Sequence, residues 1–66
     1  MVENMKTEEA AKILQVEPST LEQWRWQGKG PKFIKMNRAV RYRREDLQSF
    51  IDARVFSSTT EAQAAA

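Results

Sequence analysis

Residues 7–28 have the sequence TEEAAKILQVEPSTLEQWRWQG, and this stretch decides the fold. Its first part predicts a helix over residues 8–14, because alanine, isoleucine and leucine recur at the spacing of one helical face. Thr7 precedes that pattern and has a hydroxyl suited to capping the helix. Pro18 predicts the start of a second helix, continuing over residues 19–27, since proline is tolerated at a first helical position.

The connection between the two helices is only residues 15–17. Helices joined so tightly are expected to cross steeply, which is helix-turn-helix geometry. A close crossing needs a small side chain at the contact, and Ala11 or Ala10 supplies it. Leu21 and Trp24 are expected to anchor the second helix in the core, on a buried side that they share with Gly28. Gly28 also predicts where that helix ends.

The second half of the chain predicts a β-hairpin followed by a helix. The runs 33–36 and 39–42 are β-prone, and they are joined by Asn37 and Arg38 at a turn. From residue 44 the apolar spacing becomes helical again, and the expected inner face is Leu47, Phe50, Ile51, Arg54 and Val55. The predicted fold class is therefore mainly α with a small β-hairpin, a winged helix-turn-helix in the order helix, helix, hairpin, helix.

These elements predict one domain over residues 7–55. Residues 1–6 are expected to be a lead-in, and residues 56–66, which are small and polar, a disordered tail. No apolar run reaches the length of a membrane span and the N-terminus lacks a signal-peptide core, so we expect no membrane association and a place in the bacterial cytoplasm or nucleoid.

The composition restricts the chemistry. The 66 residues include no cysteine and no histidine, so Ser-His-Asp and Cys-His nucleophiles and the usual zinc ligand sets cannot be built. The acidic pairs Glu8-Glu9 and Glu45-Asp46 stand where helices are predicted to begin, where negative charge is favourable. We therefore expect a protein that is not an enzyme and has no cofactor and no metal.

Positive charge is concentrated in one part of the sequence. Eight cationic residues occur without an intervening acid: Arg25, Lys29, Lys32, Lys35, Arg38, Arg41, Arg43 and Arg44. Such segregation predicts one strongly positive side, suited to a polyanionic partner. The alternative is a solvated surface that happens to be basic.

Two ordered motifs resemble a known family. KTEEAAKIL over residues 6–14, followed by VEPSTL over 16–21 and by Trp24, is similar to the MerR-type winged helix-turn-helix superfamily, closest to its excisionase-like branch. VRYRREDL over residues 40–47 resembles that family's wing strand and last helix. The resemblance covers about residues 5–54 and implies binding to double-stranded DNA; members include phage and transposon excisionases, AlpA-like regulators and small phage repressors.

Two positions depart from the family pattern. Gln15 stands where the family often has glycine, so a left-handed backbone there would cost about 1 kcal/mol. Glu17 replaces the serine or threonine usual before Pro18. Both departures are expected to lower stability without breaking the fold.

The resemblance makes the second helix the recognition helix. Its outward side is predicted to carry Ser19, Gln23, Trp26 and Gln27, with Thr20 and Glu22 at the flanks. Glutamine can pair bidentately with adenine in the major groove, and serine or threonine can serve several bases. Gln23 and Gln27 could equally be solvated. For Trp26 the sequence leaves open a contact with DNA, a contact with a partner protein and packing over the Lys29 stem.

Phosphate contacts are expected from Thr20, Lys29 and the hairpin, whose candidates are Lys35, Arg38, Arg41, Tyr42 and Arg43. Arg38 is predicted at the hairpin tip, from which it could enter the minor groove. Arg25 is expected either to reach a phosphate or to pack along the core edge. Arg41 and Tyr42 alternate along a strand, so only one can face inward; core packing of Tyr42 is the alternative to a contact with the DNA backbone.

The partners follow from the resemblance. We expect double-stranded DNA, an integrase or recombinase, and cooperative assembly on DNA by a protein that is a monomer in solution. An excisionase that binds repeated sites and bends DNA is the first functional hypothesis, and a small transcriptional regulator of a phage or mobile element is the second. The third, from another class, is a protein-interaction module that does not bind DNA.

Overall fold

The computed structural model describes residues 4–65. Residues 1–3 of the predicted lead-in and residue 66 of the predicted tail lie outside this range. The elements in chain order are β1 (Asn4–Met5), α1 (Thr7–Leu14), α2 (Pro18–Trp26), β2 (Ile34–Met36), β3 (Ala39–Arg43), α3 (Arg44–Asp52) and α4 (Thr59–Ala65). No helix within residues 4–65 is both long and apolar enough to cross a membrane.

The α1–α2 pair confirms the predicted helix-turn-helix. Gln15 adopts the left-handed conformation, with φ 58° and ψ 43°, and the Val16 N–H donates to the Ala11 carbonyl at 3.0 Å. Ala10 and Ala11 are fully buried, so α1 and α2 approach closely where the side chains are smallest. A non-glycine residue therefore makes the sharp turn between the two helices.

The start of α1 differs from the prediction by one residue. Thr7 is the first helical residue rather than the cap, and Lys6 occupies the N-cap position. The Lys6 N–H donates to Glu9 Oε1 at 3.1 Å. A glutamate three residues into the helix thus satisfies the backbone donor at the cap, as in the second half of a capping box.

The hairpin is confirmed, and a third strand completes its sheet. β2 and β3 are antiparallel, with Met36 opposite Ala39 across a turn in which Asn37 has φ 59°. β1 pairs antiparallel with the other side of β3 and places Met5 opposite Tyr42. The predicted lead-in thus contains a strand that the sequence did not indicate, because two residues are too few for alternation to reveal it.

The core lies between the α1–α2 pair, the sheet and α3. Its buried members are Met5, Ala10, Ala11, Leu21, Tyr42 and Leu47, and Leu14, Val16, Trp24 and Val40 pack against them while partly buried. Trp24 extends this core to α3, where its ring centroid lies 5.7 Å from that of Phe50. Strands β1 and β3 and helices α1, α2 and α3 thus contribute to one small apolar cluster.

The C-terminal part departs from the sequence-based expectation in two ways. Val55 is 70% exposed and lies after α3 has ended at Asp52, so it does not continue the inner face of that helix. The segment expected to be a disordered tail contains α4. Glu61 contacts both preceding serines: its N–H donates to Ser58 Oγ at 3.1 Å, and its carboxylate accepts from the Ser57 hydroxyl. These capping contacts and the alanine-rich sequence favour a helix.

Candidate nucleic-acid interface

One side of α2 is an exposed polar stripe. Ser19, Glu22, Gln23 and Trp26 follow the i, i+3, i+4, i+7 spacing of one helical face, and all four are exposed. Trp26 is 90% exposed. Leu21, on the opposite side, is buried, so the packing of α2 fixes which residues face outward. We call Ser19, Glu22, Gln23 and Trp26 the α2 outer face.

The residues beside this face differ in exposure. Gln27 is exposed and forms the C-cap of α2, whereas Thr20 is half-buried. Gly28, which follows, has φ 72° and ends the helix as predicted. It is exposed and its Cα faces open space, so the interpretation that Gly28 shares the buried side with Leu21 is wrong.

A groove runs between α2 and the hairpin. It has a volume of about 530 Å³ and is lined by Arg25, Trp26, Phe33, Lys35, Asn37, Arg38 and Val40. Three of these residues are cationic and none is acidic. The groove begins at Trp26, and therefore adjoins the α2 outer face. We call it the α2–hairpin groove.

A second depression continues from the groove through Arg25 and Phe33. Its other lining residues include Lys29 and Lys32, in the loop that joins α2 to β2. Both lysines are exposed. Five of the eight cations of the basic stretch therefore line two adjoining depressions, and this surface is where an anion would be attracted most strongly.

Arg25 is held at the floor of the groove by the hairpin. Its Nη1 donates to the Tyr42 hydroxyl at 3.0 Å, and its guanidinium carbon lies 5.7 Å from the centroid of the Phe33 ring. The ring centroids of Phe33 and Tyr42 are 6.2 Å apart. The structure thus shows Arg25 packed along the edge of the core, and a contact between Arg25 and a phosphate stays a prediction.

Tyr42 occupies the core. It is 1% exposed and its hydroxyl is engaged by Arg25, so the structure shows core packing and leaves the side chain no surface for a contact with DNA. Alternation along β3 directs Arg41 to the opposite face of the sheet from Tyr42. Arg41 is half-buried, and its Nη1 donates to the Val40 carbonyl at 2.8 Å.

Arg43 and Arg44 do not join the groove. Arg43 makes a bidentate pair with Asp46, with Nε–Oδ2 at 2.6 Å and Nη2–Oδ1 at 2.9 Å, and Glu45 lies 3.9 Å from its Nη1. This pair is the largest cause of a lowered pKa at Asp46. Arg44 lines a separate groove with Glu8 and Glu9.

The basic stretch is therefore divided between different parts of the surface. Arg43, predicted to contact DNA, is paired with two acids in the first turn of α3, Glu45 and Asp46. A bidentate carboxylate satisfies the planar guanidinium fork and largely cancels its charge. The two acids that follow Arg43 and Arg44, with Asp46 three residues after Arg43, were the sequence signal for this pairing.

The sequence-based interpretation also understated Glu22, which it placed at the flank of α2. The structure puts Glu22 on the outer face beside Gln23, and the four-residue spacing between Glu22 and Trp26 is the signal that indicates this. No three acidic side chains among the described residues come together as metal ligands.

A tightly turned helix pair, a hairpin wing and a cation-lined groove between them define a winged helix-turn-helix, the architecture of a DNA-binding domain. The comparison with protein families agrees with the geometry: a model described as a helix-turn-helix domain matches residues 5–55. The chain belongs to this family of small DNA-binding domains. No curated protein and no solved structure matches the chain.

Proposed function

We propose that the protein is an excisionase-type DNA-binding protein, which recognises a specific duplex sequence with α2 and holds the adjacent backbone with its hairpin. The observation that carries this proposal is the continuity between the α2 outer face and the α2–hairpin groove. Groups able to bond base edges stand on one side of Trp26, and groups able to neutralise phosphates stand on the other.

The α2 outer face supplies the base contacts in this proposal. An α-helix fits the major groove, where glutamine can bond N6 and N7 of adenine and serine can serve several bases. Ser19 and Gln23 are exposed, and within residues 4–65 neither side chain has a hydrogen-bond partner. Their bonding groups are therefore available to bases. Gln27, exposed at the end of α2, is proposed to add a further contact.

The groove supplies the backbone contacts. Lys35 and Arg38 line it from the hairpin and Arg25 lines it from α2, while Lys29 extends the positive surface through the adjoining depression. Arg38 lies in the hairpin turn, from which its long side chain is proposed to reach the neighbouring minor groove. Arg41 and the half-buried Thr20 are proposed as weaker phosphate contacts.

Trp26 lies at the junction of the two contact regions. Its ring is almost fully exposed, and removing the apolar surface of the indole from water is favourable in free energy. We propose that it packs against the sugar-phosphate backbone where the strand passes from the α2 outer face into the groove.

The direct test is binding of the purified protein to duplex DNA at several salt concentrations. If about 4 to 6 phosphates are neutralised, a plot of the logarithm of the association constant against the logarithm of the salt concentration should have a slope of about −4 to −5. Gln23→Ala should narrow the difference in affinity between the selected site and random duplex. If the protein fails to shift any duplex at low salt, the protein-interaction module becomes the better hypothesis.

A second experiment addresses the excisionase role. A domain of this size buries little surface on DNA, so specificity in a genome requires several copies side by side or a neighbouring protein. Footprints at tandem sites, with bending of the bound fragment and stimulation of an integrase, would support the excisionase. A single footprint overlapping a promoter, without bending, would favour the transcriptional regulator.

A further inference from the structure

Glu22 is a negatively charged residue in the middle of the α2 outer face. It lies one turn from both Ser19 and Trp26 and next to Gln23, and it is exposed. Its carboxylate has no hydrogen bond and no ion pair among the described residues. The other acid near α2, Glu17, is at the N-cap, outside this face.

The obvious partner for Glu22 is engaged elsewhere. Arg25 stands three residues further along α2, a spacing at which an acid and a base commonly pair. Its guanidinium instead donates to Tyr42 and lies over Phe33. The contacts that hold Arg25 in the groove therefore leave the Glu22 carboxylate without a cationic partner among the described residues. Glu22 lies on the surface that is proposed to face DNA.

An uncompensated carboxylate on this surface must find a donor in the major groove or be repelled. An ionised glutamate only accepts hydrogen bonds. In the major groove guanine presents N7 and O6, thymine presents O4, and adenine sets its N6 donor beside the N7 acceptor. Cytosine presents the N4 donor alone, so it is the base that a carboxylate meets without facing an acceptor on the same edge.

We propose that Glu22 is a specificity-determining residue that selects a cytosine at one position of the recognised sequence. This inference rests on the proposed function, because it requires that α2 enters the major groove. Gln23, next to it on the same face, selects the neighbouring base independently. The Glu22 carboxylate then accepts a hydrogen bond from the N4 amino group of cytosine, and it is repelled by the acceptor atoms of guanine and thymine.

The experiment selects a site from a random duplex pool with the full chain and then measures affinity for every single-base variant of that site. The same panel is measured for Glu22→Gln and Glu22→Ala. Glu8→Gln, which makes the same chemical change on an exposed residue of α1, is the matched control. Circular dichroism of each variant verifies the fold.

The wild-type protein is expected to require cytosine at one position, with a loss of about fivefold or more for other bases. Glu22→Gln should change the preferred base there to adenine, because an amide can bond both N6 and N7. Glu22→Ala should abolish the preference at that position alone, and Glu8→Gln should leave all preferences unchanged.

Two results would overturn the inference in different ways. If both Glu22 variants bind every duplex more tightly with unchanged base preferences, or if the selected site has no required cytosine, Glu22 only repels phosphates and the proposed DNA-binding function still stands. If the wild-type protein prefers no duplex sequence at all, the sequence-specific function fails together with the inference.

Discussion

Arg25 and Tyr42 join α2 to the hairpin: Arg25 Nη1 donates to the Tyr42 hydroxyl at 3.0 Å, and Tyr42 is 1% exposed. The core side chain of β3 thereby fixes the position of a cation in the α2–hairpin groove. This hydrogen bond couples the distance between α2 and the hairpin to the packing of the core.

Tyr42→Phe is expected to lower the free energy of unfolding by about 1 kcal/mol, because it removes the acceptor while keeping the ring. Urea denaturation measures the change. Arg25→Met and the double variant complete a thermodynamic cycle. If the two substitutions are additive, the contact does not stabilise the fold and the coupling described above is absent.

Arg38→Ala is expected to weaken binding to all duplexes alike and to reduce the magnitude of the salt slope by about 1, because a phosphate contact carries no sequence information. Fluorescence anisotropy with selected and random duplexes at several salt concentrations measures both effects. Lys12→Ala removes the same charge from an exposed position on α1 and should change neither. A loss restricted to the selected site would show that Arg38 contacts a base.

Gln15→Gly is expected to raise the free energy of unfolding by up to about 1 kcal/mol, since Gln15 has φ 58° and glycine tolerates this conformation without strain. Thermal or urea denaturation checks the sign. Gln27→Gly is the control, because φ at Gln27 is −85° and glycine brings only a larger entropy loss there. Destabilisation by both substitutions would mean that Gln15 carries no strain.

Asp46→Asn is expected to remove a pH-dependent part of the stability. The pKa of Asp46 lies below its usual value of 3.8 because Arg43 bonds the carboxylate. The unfolded chain therefore takes up a proton at higher pH than the folded one, so this contribution is complete above about pH 5 and is lost as the pH falls through the folded-state pKa. Denaturation of both proteins between pH 7 and 3 should show the largest difference at neutral pH; a constant difference would contradict the role of the ion pair.

The sequence predicted the parts of the fold that depend on local pattern. The short connection before Pro18, the small residues Ala10 and Ala11 and the β-prone runs around Asn37 were sufficient for the helix pair and the hairpin. β1 was missed because its two residues gain their structure from β3, which is distant in sequence. Thr7 was predicted as the N-cap because of its hydroxyl. Composition does not show that the Glu9 side chain instead accepts from the Lys6 N–H, which makes Lys6 the N-cap.

The candidate site was predictable where exposure follows from helical spacing, as for Ser19 and Gln23. It was not predictable where side chains compete for partners. Whether Tyr42 or Arg41 faced inward depended on the register of β3, and whether Arg43 was available depended on how the first turn of α3 presents Asp46. Tertiary contacts decided these cases.

The different surroundings of Trp24 and Trp26 give the protein two fluorophores that report on separate events. Trp24 packs against Phe50 and is partly buried, so its emission should shift to longer wavelength on unfolding. Trp26 stands in solvent at the mouth of the groove, so iodide should quench it in the free protein and a bound duplex should shield it. Folding and ligand occupancy can thus be followed in one cuvette without any label.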